Sequence, residues 1–369
     1  MTAKEIRQLL RDPVLLSFLA FVFTVNVYLQ GSSVSLQLNR AAMVVQDADH
    51  SAASRELIHR FRPPHFRLDG EVDDSRQAIG LLDKGEAMVA LDIPPRFEES
   101  LLAGETASVL MQVDATHTAP GFLASSYAAR IVSQFGLETA LAREGLSGGG
   151  LEEVPVVIDD QRVWFNPNQK DTWFMPISEL LEGITLFSIL LPAAAMVREK
   201  ERGTVEQLLV SPLSPFQIMF PKVIAMVMVI LVGVSLSLFA VLGGMFQVPM
   251  RGSLPLFYFV TTLYIFANAG LGLFVATVAR NLAQVGLLSL LILAPIILLS
   301  GTWTPPEAMP DWLRAGTLVS PLRHYIDAVY GILLKGADVG LLWDSVLAIA
   351  LLGSGIFAFG LWRFRRQFG

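Results

Sequence analysis

The run Val223–Met250, VIAMVMVILVGVSLSLFAVLGGMFQVPM, holds no acidic or basic side chain and is closed off by Lys222 on one side and Arg251 on the other. A helix needs about 20 largely apolar residues to cross the hydrocarbon core of a bilayer, and this run exceeds that length. It is not alone. Pro13–Asn39, Gly252–Ala279, Asn281–Pro306 and Ser345–Trp362 are equally free of charge, the last preceded by Leu341, Leu342 and Trp343. A sixth run, Gly183–Val197, reaches membrane length only by extending back toward Pro176, which takes Glu182 into the span. The reading is an α-helical integral membrane protein with six transmembrane helices.

Composition agrees. Of 369 residues, 53% are hydrophobic and 16% charged, and the mean hydropathy is +0.53; one soluble core does not bury that much apolar surface. The net charge of -6 conceals a segregation of signs by region and points to no nucleic-acid partner. With no cysteine, disulfides, thiolate metal sites and cysteine nucleophiles are excluded.

Basic residues in short flanks mark the cytoplasmic side. Lys4, Arg7, Arg11, Arg198, Lys200, Arg202, Lys222, Arg280, Arg363, Arg365 and Arg366 fall on one side of the six runs; Arg251, Arg314, Arg323 and Lys335 fall on the other. Both termini are therefore expected in the cytoplasm and residues 40–172 outside it. Residues 13–39 form the first span; a cleaved secretory signal is the other reading of that run. Ahead of it, Lys4–Arg11 places Ile6, Leu9 and Leu10 at helical spacing among charges, which fits a short amphipathic helix in the inner interface or a basic flank that only sets orientation.

Residues 40–172 change to the composition of a soluble module, a large extracytoplasmic mixed α/β domain between the first and second spans. Ala42–Val45, Ala87–Ile93, Val109–Val113 and Val154–Ile158 read as strands, and Ser51–Phe61, Ser75–Leu82, Pro95–Leu102 and Thr118–Leu141 as helices. His50, His59, His65 and His117 lack ligand spacing, so no metal site is expected; Asp49 or Ser51 is expected to cap the helix that follows.

Between the second and third spans lies Arg198-Glu199-Lys200-Glu201-Arg202-Gly203-Thr204-Val205-Glu206-Gln207-Leu208-Leu209-Val210-Ser211-Pro212-Leu213-Ser214-Pro215. Gly203 is expected to break the charged extension. Thr204 and Gln207 have capping-box spacing, and Ser211-Pro212 ends the short helix they open. The residues alone fit either an ordinary charged loop or a rigid helix that takes force from a cytoplasmic partner.

This stretch, together with Gln8–Pro13, Val44–Ser51, Ile93–Phe97, Phe165–Asn168 and Ser320–Leu322 in the same order, resembles the ABC-2 type permease family, the membrane subunits of bacterial ABC exporters of the drug-export kind. The resemblance runs nearly the whole chain. It implies that residues 1–12 form an interfacial elbow helix, that residues 198–215 form the coupling helix, with Arg198, Glu199, Lys200, Glu201, Arg202, Gly203, Thr204, Val205, Glu206, Gln207 and Leu208 as its ATPase-coupling residues, and that residues 300–325 form a re-entrant outer segment with Trp303 and Trp312 at headgroup level. It implies a multi-pass protein of the bacterial inner membrane. Its partners would be a separate ABC ATPase that binds the ATP and Mg, a second permease, identical or paralogous, and membrane lipids; a periplasmic adaptor is left open. No G-x-x-x-x-G-K-[ST] occurs in the chain, so the permease itself is expected to bind no cofactor and hydrolyse no ATP.

Two rivals stand beside it. A membrane enzyme needs paired catalytic groups in the spans, and the apolar runs hold no HExxH and no G-x-S-x-G. A membrane-anchored sensor or scaffold with an extracytoplasmic ligand-binding domain needs a cytoplasmic output domain, and the cytoplasmic parts are short. Within residues 173–369, Glu179 and Glu182 share a helix face. They mark a substrate path that attracts cations, or they reach the outer interface. Asn26, Asn268 and Gln284 are read first as interhelical hydrogen-bond partners, and Asn26 and Asn268 also as substrate-path candidates. Pro192 and Pro295 are expected to kink their helices.

Overall fold

The computed structural model describes residues 2–33, 38–114, 118–143, 171–203, 215–302, 306 and 309–368. The chain divides into a helical unit, Met1–Val34 with Val163–Gly369, and a second unit, Ser35–Arg162.

The helical unit opens with α1 (Thr2–Leu10). Its inward residues are Glu5 and Leu9, one turn apart, while Leu10 is exposed. The expected stripe of Ile6, Leu9 and Leu10 is therefore rotated toward Glu5, because Glu5 has an ionic partner inside the bundle. Asp12 then caps α2 (Pro13–Ala20), accepting from Leu15 N at 3.1 Å, with Pro13 at the first helical position, where no amide hydrogen is missed. A π-helical turn, Phe21–Asn26, leads into α3 (Val27–Ser33).

The second unit is a four-stranded sheet in the order β2-β1-β3-β4. In chain order its elements are β1 (Ala41–Asp47), α4 (Ala52–Arg60), β2 (Phe66–Glu71), α5 (Ser75–Asp83), β3 (Val89–Ile93), α6 (Phe97–Ala103), β4 (Leu110–Val113) and α7 (Thr118–Arg143). β1 pairs in parallel with β2 and β3, and β3 antiparallel with β4. Side chains alternate across a strand. Met43 and Val45 accordingly pack with Leu57, Phe97 and Ala128 on one face, and Val44 with Val72 and Ala78 on the other. This covering of both faces is what a largely parallel sheet requires. Ser51 caps α4 through a reciprocal box with Ser54, and Asp49 accepts from Glu98 N at 3.0 Å instead. Asp47 takes hydrogen bonds from the backbone of Asp49 and His50, so these carboxylates serve turns. β2 went unread in the sequence because only Phe66 of its FRLDGE is buried. The expected strand Val154–Ile158, His117 and Phe165–Asn168 lie outside the described residues.

The helical unit resumes with α8 (Asp171–Glu201), α9 (Pro215–Leu236) with a π-helical continuation over Ser237–Met245, α10 (Leu254–Val278), α11 (Leu282–Leu298), α12 (Asp311–Thr317), α13 (Pro321–Tyr330) and α14 (Val339–Phe368). Among the described residues, five helical stretches are long and apolar enough to cross a membrane: Pro13–Ser32, Thr172–Glu201, Phe216–Met245, Leu254–Val278 and Val339–Gln367. The run expected to give a further span from Asn281 forms a shorter helix, because Pro295 sits in its last turn and Leu299 and Ser300 close the chain back on Pro295 and Ile297. Residues 300–325, expected as a re-entrant segment, contain α12 and the start of α13, which runs on to Tyr330; Trp312 is exposed, and Trp303 lies outside the described residues.

α8 and α10 are the most enclosed of the five, with 72% and 67% of their apolar windows buried against 22% for α14. Thr185 and Thr261, which make buried hydroxyl contacts with the tyrosine pair Tyr264 and Tyr325, lie on these two. α14 reaches α10 through small residues: a Cβ added to Gly353 would lie 2.5 Å from Ala267 Cβ, and one on Gly270 2.5 Å from Phe357 Cα. Such positions let helix backbones approach closely where no hydrophobic driving force separates protein from lipid.

Candidate functional site: the root of the charged segment

The last turn of α8 carries Arg198, Glu199, Lys200 and Glu201. Successive side chains on a helix point about 100° apart, and each of these four meets a different element. Arg198 pairs with Asp12, the cap of α2, at 3.2 Å. Glu199 Oε1 accepts from Lys222 Nζ of α9 at 2.6 Å. Lys200 Nζ donates to the carbonyls of Ala276 and Ala279 at 2.9 and 3.0 Å, at the end of α10. Glu201 Oε1 accepts from Leu282 N at 3.2 Å, at the start of α11. The two helix ends have unsatisfied backbone groups of opposite polarity, carbonyls on α10 and amides on α11, so a lysine suits the one and a glutamate the other.

Lys222 completes a buried triad. It is 4% exposed and also donates to Glu5 Oε1 of α1 at 2.6 Å. One ammonium thus ties α1, α8 and α9 together. Sequence reasoning used Lys222 only as an orientation marker and gave Glu5 no role; the paired burial of three charges is a tertiary fact. The helix ends at Gly203, whose φ of +67° suits glycine, as the sequence led one to expect. Arg202 is placed and exposed, whereas Thr204, Val205, Glu206, Gln207 and Leu208 lie outside the described residues.

The other polar candidates separate. Asn26, the last residue of the π-helical turn, donates to Glu179 Oε1, and Gln30 Nε2 donates to Glu179 Oε2 at 3.2 Å. Asn26 is therefore an interhelical partner, and Gln30, missed in the sequence, joins it one turn along. Glu182 is half-buried one turn further along α8. Asn268 is 2% exposed in α10, apart from this pair, and its Nδ2 has no partner among the described residues. Gln284 corrects an expectation: it accepts from Arg280 N at 2.8 Å and helps close the start of its own helix beside the Asn281 cap, because free amides are concentrated there. In the core, Tyr264 and Tyr325 stack at 4.0 Å, their hydroxyls meeting Thr185 and Thr261 at 2.9 Å each. Among the described residues no three His, Asp or Glu side chains gather as metal ligands.

The last turn of α8 thus ties four neighbouring elements of the apolar helical unit together. The family described as ABC-2 family transporter protein matches residues 13–362. The chain is 35% identical to the inner membrane transport permease YhhJ of Escherichia coli, over 99% of this chain and 96% of that one. It is 29% identical to the probable multidrug ABC transporter permease YbhR of the same organism, over 98% and 96%, and 26% identical to the probable multidrug ABC transporter permease YbhS, over 97% and 93%. With a family match from the first long helix to the last, the protein belongs to the ABC-2 family of transporter permeases.

Proposed function

We propose that the chain is the permease subunit of an ATP-driven exporter, and that a separate ATPase pushes on residues 198–215. The observation that carries this is the fan of Arg198, Glu199, Lys200 and Glu201 onto four elements. A force on residues 204–214 acts on α8 at one end and on α9 at the other. From α8 it is passed at once to the α2 cap, to α9, and to the facing ends of α10 and α11.

The same contacts support a reading of the arrangement in the membrane. α1, Lys200, Lys222 and Arg280 gather at one end of the helical unit, and they belong to the basic set that marks the cytoplasm. α11, with 17 residues, covers about 26 Å of rise, close to a bilayer core, and serves as the sixth span with the residues after it. The α/β unit then lies outside the cytoplasm, the host membrane is the bacterial inner membrane, and two permeases with two ATPases make the working assembly.

The test is co-purification of the full chain, wild type and with Thr204–Leu208 replaced by Gly and Ser, which leaves the four anchoring side chains in place. The expected result is a P-loop ATPase retained by wild type and lost by the variant. Absence of any ATPase with wild type in a mild detergent overturns the reading.

A further inference from the structure

Glu179 sits inside an apolar span, where an uncompensated carboxylate is costly and marks a functional path. Its two recorded partners, Asn26 and Gln30, are neutral amides. They orient both carboxylate oxygens and neutralise nothing. The ion pairs recorded among the described residues of the helical unit involve Glu5, Asp12, Glu199 and Asp311, not Glu179. Glu179, Asn26 and Gln30 are each half-buried, so the carboxylate is reachable from outside the packed core.

The amides come from one face of the first span, four residues apart, and Asn26 closes a π-helical turn, the local widening that recurs where a helix carries function. Aromatic residues lie along the same two helices, a turn or more from the carboxylate. Phe174, five residues before Glu179, stacks on Tyr330 at 4.9 Å, and the Tyr330 hydroxyl meets Ser178, the neighbour of Glu179, at 2.5 Å. Beyond Gln30, the Gly31 backbone lies against Phe246 and Pro176 so closely that an added Cβ would be 2.5 and 2.8 Å from them. A carboxylate without a cationic partner in an apolar span, with aromatic rings a turn or more away along the same helices, suits a cation with an apolar body, charge attraction holding one end and ring contact the other.

We propose that Glu179, held by Asn26 and Gln30, binds the charged centre of a lipophilic organic cation, and that Phe246 and the Phe174–Tyr330 pair take its apolar body. This names a substrate class and rests on the exporter reading.

The experiment uses the full chain in lipid nanodiscs, without any ATPase, and ethidium as the probe, read by fluorescence anisotropy against protein-free nanodiscs. Wild type is expected to bind ethidium saturably, and Glu179→Gln, which can keep contacts to both amides, to weaken binding about tenfold, a change of about 1.4 kcal/mol. Tetraphenylphosphonium should displace the probe from wild type, while tetraphenylborate, of the same shape and opposite charge, should not. This arm needs no variant to fold. Equal affinity in Glu179→Gln, displacement by tetraphenylborate, or no saturable binding to wild type overturns the proposal. Because the readout needs no ATPase, its failure is distinct from failure of the co-purification test.

Discussion

Lys222 Nζ and Glu199 Oε1 stand 2.6 Å apart with their side chains only 6% and 14% exposed, and the same ammonium reaches Glu5 at the same distance. The end of α8, the start of α9 and the N-terminal helix are joined at one buried atom. Removing that atom leaves two carboxylates facing each other out of water.

Lys222→Met is therefore expected to lower the stability of the purified protein by about 3–5 kcal/mol, the cost of breaking a buried pair from one side. The measurement is the thermal midpoint in detergent. A triple variant, Lys222→Met with Glu5→Gln and Glu199→Gln, should recover most of the loss, since both carboxylate charges are removed together with the ammonium that faced them. A triple variant as unstable as the single one would show that the triad is not the cause.

Lys200 closes the end of α10 on the carbonyls of Ala276 and Ala279. Lys200→Ala should cost about 1–2 kcal/mol, from lost charge-assisted hydrogen bonds and the lost interaction with the helix dipole. Amide hydrogen exchange should rise in the last turn of α10 and at the start of α11 more than elsewhere. A rise spread evenly over the bundle would contradict the local role.

Gly270 and Gly286 make a matched pair. A Cβ on Gly270 meets backbone of Phe357 and Ile356 at 2.5 and 2.6 Å, whereas one on Gly286 meets nothing within 4 Å. Gly270→Ala should destabilise the protein by about 1–3 kcal/mol by forcing α10 and α14 apart. Gly286→Ala should be neutral or stabilising by up to about 1 kcal/mol, through helix propensity. Equal melting of the two variants would exclude close α10–α14 packing.

In the α/β unit, Arg60 of α4 bridges Glu138 of α7 at 2.7 Å and, through that hydrogen bond, holds the Glu138 carboxyl below its ordinary 4.5. A depressed carboxyl contributes stability above its unfolded value, and the contribution disappears as pH falls through the lower folded one. With Glu138 46% exposed, solvent screening limits it to about 0.2–1 kcal/mol. Glu138→Gln should reduce hydrogen-exchange protection of α7 relative to wild type at pH 6, and the difference should shrink as pH falls below 4.5 through the lower folded value. A difference that persists unchanged at pH 3 would assign the effect to packing.

Much of the frame was legible in the sequence because solvent sorting acts on composition alone. Long charge-free runs stand out whatever packs against them, and Val223–Met250 reads as an apolar span before any neighbour is known. In the α/β unit, a strand buried on both faces such as Ala41–Asp47 was readable as a short apolar run, whereas the edge strand Phe66–Glu71 was not, since most of its side chains face water and leave no apolar pattern. The short helix Leu282–Leu298 ends earlier than its charge-free run, because a proline and a tight turn stop it and hydropathy does not register backbone geometry.

The sequence by itself determined that the chain spans a membrane, that a mixed α/β module interrupts the spans after the first, and that a charged segment ending its helix at Gly203 marks the family. Only the tertiary structure decided which charges are paired. Glu5 and Lys222 are 217 positions apart, and Asn26 and Glu179 are 153 apart. No local periodicity links residues so distant. Their meeting is fixed by how the helices pack, and in an apolar medium each buried charge or amide constrains that packing by what it must face.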